Sequence, residues 1–327
     1  MIAFFDLEGP LCPIDHSAEI IEQIGKKLGK EEDFYQLFQM ISVYDDELFL
    51  VDKKENYWPG DTLKLIAPIV VSYANEEELV NISKKALLTP GAKELFDYLH
   101  LNKIPTYIIS TSYTQHAYTI AQKLEHPIDN VRCTKLDFSL KSDSSEILKV
   151  LFDDIFPRYL QEGLQNVKKD LDQFFFKEIP NSNLGPIFES TIVCGGGRKR
   201  ESVIEILKEH SSDVKQAIAV GDSITDIQML EYVKDGGGTA ISFNGNLHSL
   251  KPASIAFSGN SILPLKEIFE NFPKSLEHIK NLDIEKQSNK EENFHLVQGI
   301  TKEDFEKVLL LQKKYRKILR EKASNLT

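Results

Sequence analysis

The stretch that most restricts what this chain can become is its opening, MIAFFDLEGPLC. Residues 2–5 are uninterrupted apolar sequence, the pattern of a central parallel strand covered on both faces, and Gly9-Pro10 stops it at once. Asp6 and Glu8 therefore leave the carboxyl end of a strand, where open α/β sheets bind ligands. An ordinary buried strand ending in a polar turn reads the same way.

A second stretch narrows the choice. Residues 216–229, QAIAVGDSITDIQM, place a buried-looking strand over 217–220, a glycine at 221 for the turn, and Asp222 and Asp226 four positions apart. On an opening helical turn that spacing puts both carboxylates on one side. Joined by Asp6, they make the hard, all-oxygen cage that Mg²⁺ requires.

These residues carry a resemblance. Asp6-Leu7-Glu8-Gly9, the Ser110-Thr111 pair after the apolar run 107–109, Lys199, and Gly221-Asp222 followed by Asp226 resemble the four ordered motifs of the haloacid dehalogenase superfamily. The opening motif, CTKLD at 133–137 and KRESVI at 199–204 are most similar to the phosphoserine phosphatase/homoserine phosphotransferase subfamily. The chain also resembles archaeal proteins labelled energy-converting hydrogenase A subunit R. The core likeness covers residues 1–12, 88–138 and 190–258.

The resemblance implies an α/β fold, a haloacid dehalogenase-like parallel-sheet (Rossmannoid) core with an inserted helical cap. It also implies a Mg²⁺-dependent phosphomonoester hydrolase that acts on a small phosphorylated metabolite through an aspartyl-phosphate. In that scheme Asp6 is the nucleophile and Glu8 the proton donor and acceptor. Ser110 and Lys199 are catalytic and, with Thr111, hold the phosphate. Asp6, the Glu8 backbone carbonyl, Asp222 and Asp226 hold the metal. The usual superfamily residue at position 8 is aspartate, and glutamate there leaves room for phosphoryl transfer to a small alcohol. The different-class alternative is a noncatalytic or regulatory subunit retaining the fold, associated with an energy-converting hydrogenase.

Composition bounds the partners. With 50 acidic and 39 basic residues, the formal net charge of −11 argues against a general nucleic-acid surface. Three widely spaced cysteines, Cys12, Cys133 and Cys194, suit a reducing compartment without a disulfide framework. No apolar run approaches the ~18–20 residues a membrane span needs, and the chain enters its first strand without a basic leader. The expectation is a cytoplasmic protein without membrane insertion. Neither a Walker loop nor a dinucleotide fingerprint occurs, and Gly195-Gly196-Gly197 reads as a bend into the helix after Lys199.

The expected organisation is a core of residues 1–14 and 88–272, with a helical cap at 15–87. Four helices are expected in the cap, at 15–28, 31–43, 61–73 and 75–86, with a solvated loop or hairpin over 44–57. Residues 138–188 have no counterpart in the resembled subfamily and are expected to be a second insertion with helices at 144–156 and 160–176. Residues 273–327 are expected to be a helical C-terminal extension. In it Phe305, Val308, Leu309, Gln312, Tyr315 and Leu319 trace a stripe that docks on the main body, or in a homodimer or protein complex.

Overall fold

The computed structural model describes residues 1–141, 145–285 and 293–320. The expected helix start at residue 144 and the tail of the extension at 321–327 lie outside them. A seven-stranded sheet has the order β3-β2-β1-β4-β5-β6-β7. Its strands are β1 (Ile2–Phe5), β2 (Thr106–Tyr113), β3 (Val131–Thr134), β4 (Ala217–Gly221), β5 (Thr239–Phe243), β6 (Ile255–Ser258) and β7 (Asn293–Leu296). Every neighbouring pair from β3 through β6 is parallel, and β7 closes the edge antiparallel to β6.

Alternation along β1 divides the core. Ile2 and Phe4 join Val203, Ile206, Met229 and Val233 on one face, while Ala3 and Phe5 join Leu95, Phe96 and Ile120 on the other. Apolar cover on both sides is what a parallel sheet demands of its helices. From β1 the chain builds outward through β2 and β3, then returns to place β4, β5 and β6 on the opposite side. The order reverses between β1 and β4, with Phe5 registered on Val220. The residues leaving those two strands therefore open into the crevice of a topological switch point.

Over these strand ends lies a helical cap in which two separated stretches share one core. Ile20, Phe34, Tyr44, Ile66 and Leu79 pack in the same buried cluster as Leu151, Val167, Leu171, Phe175 and Phe188. Phe34 lies 5.3 Å from Phe152 and Tyr44 stacks on Phe175 at 6.0 Å between ring centroids. Tyr44 Oη donates to Asp172 Oδ1 at 2.5 Å. The described residues of 138–188 are thus packed into the cap helices of 15–87, a pairing that hydrophobic periodicity cannot announce.

Three local expectations change. The loop expected over 44–57 is confined to 52–57: helix Glu31–Asp46 runs into a π-helical turn at Glu47–Val51. Asp45 there is buried and accepts from Tyr57 Oη at 2.5 Å, so a charged residue marks an internal contact and not a solvated face. The helix expected over 160–176 breaks at Gly163, whose φ of 79° separates Phe156–Glu162 from Leu164–Gln173. The extension, expected to be helical, contributes the edge strand β7 as well.

The extension's final helix, Lys302–Arg320, lies against the main body on Val308, Gln312 and Tyr315, the face its stripe indicated. No described helix is long and apolar enough to cross a membrane.

At the junction of cap and core, His16 and His116 stack with ring centroids 4.2 Å apart and share the Ser83 hydroxyl, at 3.0 Å and 3.2 Å. Burial pushes His16 down to about 4 and His116 well below the ordinary histidine range. Unfolding frees both rings to protonate near pH 6.5, so the unfolded state binds more protons between that pH and about 4. The His16 contribution to stability is therefore full above pH 6.5 and is lost on acidification, by about 3 kcal/mol at pH 4. Carboxyls raised by burial, Asp6 and Glu8 among them, act in the opposite sense over the same range, so the check is a difference: from pH 6.5 to pH 4 the denaturant midpoint of the wild type should fall relative to that of His16→Asn. An equal change in both would contradict the assignment.

Candidate active site

The centre of the site is built where β1 and β4 end side by side. Asp6 follows β1 directly, with its amide donating to Val220 O at 2.8 Å. Asp222 follows β4, and a single 3₁₀ turn, Ile224–Asp226, brings Asp226 back beneath it. Asp226 Oδ2 accepts from the Asp222 amide at 2.9 Å and the Ser223 amide at 3.1 Å, which pins the loop. Carboxylate oxygens of Asp6, Asp222 and Asp226 lie within 4.8 Å of one another, all three buried.

Lys199 arrives from helix Gly197–Glu209 and is fully buried. Its ammonium donates to Asp6 Oδ1 at 2.6 Å and to Asp226 Oδ1 at 2.7 Å. Burial opposes its charge, but Asp226 and Asp6 outweigh that and hold Lys199 above the ordinary lysine range. Burial first, and then Asp226, pushes Asp6 up to about 7 against the pull of Lys199.

Two glycines are required by this crowding. Gly9 has φ of 105°, and a Cβ there would collide with the Asp222 carboxylate. At Gly221 a Cβ would lie only 2.5 Å from Asp226 Cγ, a clash. Gly9→Ala should therefore displace Asp222 and cut turnover by at least about a hundredfold. Steady-state assays of a folded variant check this; wild-type turnover would contradict it.

Glu8 stands to one side of the triad. Glu8 Oε1 accepts from Ser112 Oγ at 2.5 Å and from the His16 amide at 3.3 Å. Burial first, and then Asp15, pushes its carboxyl up to about 8, so near neutrality it carries a proton to give. β2 runs on past the apolar 107–109 and the Ser110-Thr111 pair to Tyr113, with its register on β3 shifting between Ile109 and Tyr113. Within that irregularity Thr111 lines a cavity of about 80 Å³ together with Asp6, Glu8 and Asp15. Ser110 is fully buried and its hydroxyl accepts from the Ser112 amide at 3.1 Å. Cys12 is buried, and burial pushes its thiol up to about 12, which keeps it out of the chemistry.

A profile of the haloacid dehalogenase-like hydrolases matches residues 1–234. The chain belongs to that family. Among solved structures it is similar to a gene product from Archaeoglobus fulgidus, with TM-score 0.81 and 24% identity over 99% of this chain and 97% of that one. A substrate-bound phosphoserine phosphatase complex is similar at TM-score 0.50 and 15% identity, over 81% of this chain and 96% of that one. Both likenesses are of fold. No curated protein matches the chain.

In this haloacid dehalogenase-like hydrolase the aspartate cluster is consistent with aspartyl-phosphate chemistry on a small phosphorylated substrate. The residues also fit a divalent ion. Asp222 Oδ1 is buried without a hydrogen-bond partner among the described residues, an arrangement that costs free energy unless something positive meets it. Three carboxylates clustered as oxygen donors suit Mg²⁺.

The residues missed from the sequence are Arg316 and Arg320. Both side chains are buried and both donate to Asp222 Oδ2, Arg320 at 2.9 Å. With Gln312 they stand at i, i+4 and i+8, one face of the final helix. That polar ladder beside an apolar stripe was the available signal, but arginines near a chain's charged end read as a solvated face.

Proposed function

We propose that this protein is a Mg²⁺-dependent phosphomonoester hydrolase that works through a phosphorylated Asp6. The observation carrying the proposal is the convergence of Asp6, Asp222 and Asp226 around a buried Lys199, from segments far apart in sequence. The subfamily reading, phosphoserine phosphatase-like, rests on the opening Asp6-Leu7-Glu8-Gly9 motif and on the cap that covers the site.

Asp6 attacks phosphorus in line through its carboxylate, splitting one hard displacement into two easier ones. Lys199 holds that carboxylate in place and offsets its charge, and it stands ready to pair with a phosphoryl oxygen. Ser110 accepts from a backbone amide, which leaves its own proton to donate; Thr111 lines the cavity wall. Glu8 gives its proton to the departing oxygen and then takes one from the water that opens the intermediate. Asp6, the Glu8 carbonyl and Asp222 would hold Mg²⁺, with Asp226, already bonded to two amides and Lys199, reaching it through water. When bound, the ion neutralises charge on the phosphoryl oxygens.

A second reading, a noncatalytic subunit retaining the fold, is favoured by one feature: two guanidinium groups already sit on Asp222. A panel of phosphorylated amino acids, sugars and nucleotides, assayed with and without Mg²⁺, separates the two. Metal-dependent release of phosphate supports the hydrolase. Phosphate appearing on an added small alcohol instead of in solution would make the enzyme a phosphotransferase. Absence of any turnover across the panel would favour the subunit.

A further inference from the structure

We propose that Arg316 and Arg320 are positioning residues that set the metal affinity of this site, so that a divalent cation binds tightly only together with a phosphoryl anion. The proposal rests on the Mg²⁺ reading above and concerns how this chain controls it. Both guanidinium groups are delivered by helix Lys302–Arg320, and that helix is not free to drift. Gln312, fully buried one turn before Arg316, donates to Phe257 O at 2.7 Å and to Ser258 Oγ at 2.6 Å and accepts from the Gly245 amide at 2.5 Å. Gly245 belongs to the same loop as Asn246, whose amide donates to Asp222 O at 3.0 Å. The anchor and the arginines are therefore parts of one hydrogen-bonded assembly around Asp222.

The charges decide the consequence. In direct ion pairs, Asp6, Asp222 and Asp226 face Lys199, Arg316 and Arg320, three carboxylates against three cations, all buried; Glu8, Asp15, Asp45 and Asp46 line the cavity beyond them. Without the arginines the ion-paired cluster would carry an excess of negative charge and attract a divalent ion on its own. With them its carboxylates are already matched by cations, so an added dication meets three fixed positive groups. A phosphomonoester dianion offsets that repulsion. Close charges in a low-dielectric interior interact far more strongly than in water, so this balance governs occupancy. Arg320 also lines the cavity beside Asp6 and Glu8, and its buried Nε has no hydrogen-bond partner among the described residues, so this guanidinium keeps a donor unused. Both arginines occupy Asp222 Oδ2, leaving Oδ1 for the ion.

The test is Mn²⁺ binding to the full chain, followed by electron paramagnetic resonance or calorimetry, with and without inorganic phosphate. The wild type should bind Mn²⁺ about tenfold or more tightly with phosphate present, and phosphate should bind more tightly by the same factor with Mn²⁺ present. Arg320→Gln should bind Mn²⁺ alone about tenfold more tightly than the wild type and gain little from phosphate. Arg320→Lys, which keeps the charge, should behave like the wild type. Mn²⁺ bound equally well with and without phosphate, or no more tightly by Arg320→Gln, would overturn the proposal and leave the metal reading intact. No Mn²⁺ bound by the wild type under either condition would overturn both. The wild-type comparison requires no variant to fold.

Discussion

Asp6→Asn should lose turnover by on the order of 10⁴-fold or more while remaining folded. The amide matches the carboxylate in size and still offers Lys199 an oxygen, so the contact at 2.6 Å can persist. What disappears is the proposed nucleophile, since a neutral amide cannot displace the leaving group. Stability should change little, because the lost attraction to Lys199 is offset by relief of repulsion from Asp226, the neighbour that helps raise Asp6. The check is kcat at saturating Mg²⁺ beside a thermal unfolding curve. A folded variant with more than about a tenth of wild-type kcat would remove Asp6 from the mechanism.

Lys199→Met should be costly in both respects. Lys199 is fully exchanged from water into the gap between two carboxylates and is the cation that touches Asp6 and Asp226. Methionine fills a similar volume without charge, which leaves two buried acids facing each other at a junction of β1 and β4. Breaking a buried ion pair from one side typically costs about 3–5 kcal/mol, more than the net worth of the pair, because the remaining charge is stranded. Urea midpoints should fall accordingly, and turnover should drop by roughly a thousandfold as the phosphoryl oxygens lose a fixed donor. Asp226→Asn in the same background should recover part of the stability and none of the activity. A Lys199→Met chain as stable as the wild type would mean that the two carboxylates are not held as an opposed pair.

How much of this was legible depended on whether the signal was local. Two apolar strands that end in acids announce themselves within a dozen residues, and the position of Asp6 at one sheet crevice followed from the rule for parallel sheets. Lys199 was legible only through its place in an ordered motif set, since a lysine inside Arg198-Lys199-Arg200 has no distinguishing local pattern. Asp45 misled because burial of a charge depends on a remote partner: Tyr57 Oη meets it after a π-helical turn that no periodicity encodes. The union of residues 138–188 with the cap was hidden for the same reason, its decisive contacts being ring pairs such as Tyr44 with Phe175. Arg316 and Arg320 were the largest omission. Their meaning arises only when the last described helix folds back onto a loop about a hundred positions earlier, and no spacing along the helix states that.

The central claim is that phosphorus passes through the side chain of Asp6. Full-length enzyme turning over p-nitrophenyl phosphate with Mg²⁺ can be quenched in acid, reduced with borohydride and mapped by peptide mass spectrometry. The account predicts reduction of the acyl-phosphate carbonyl at Asp6, dependent on substrate and absent from Asp6→Asn. Turnover accompanied by modification of a different residue, or by none under conditions that trap an acyl phosphate, would contradict it.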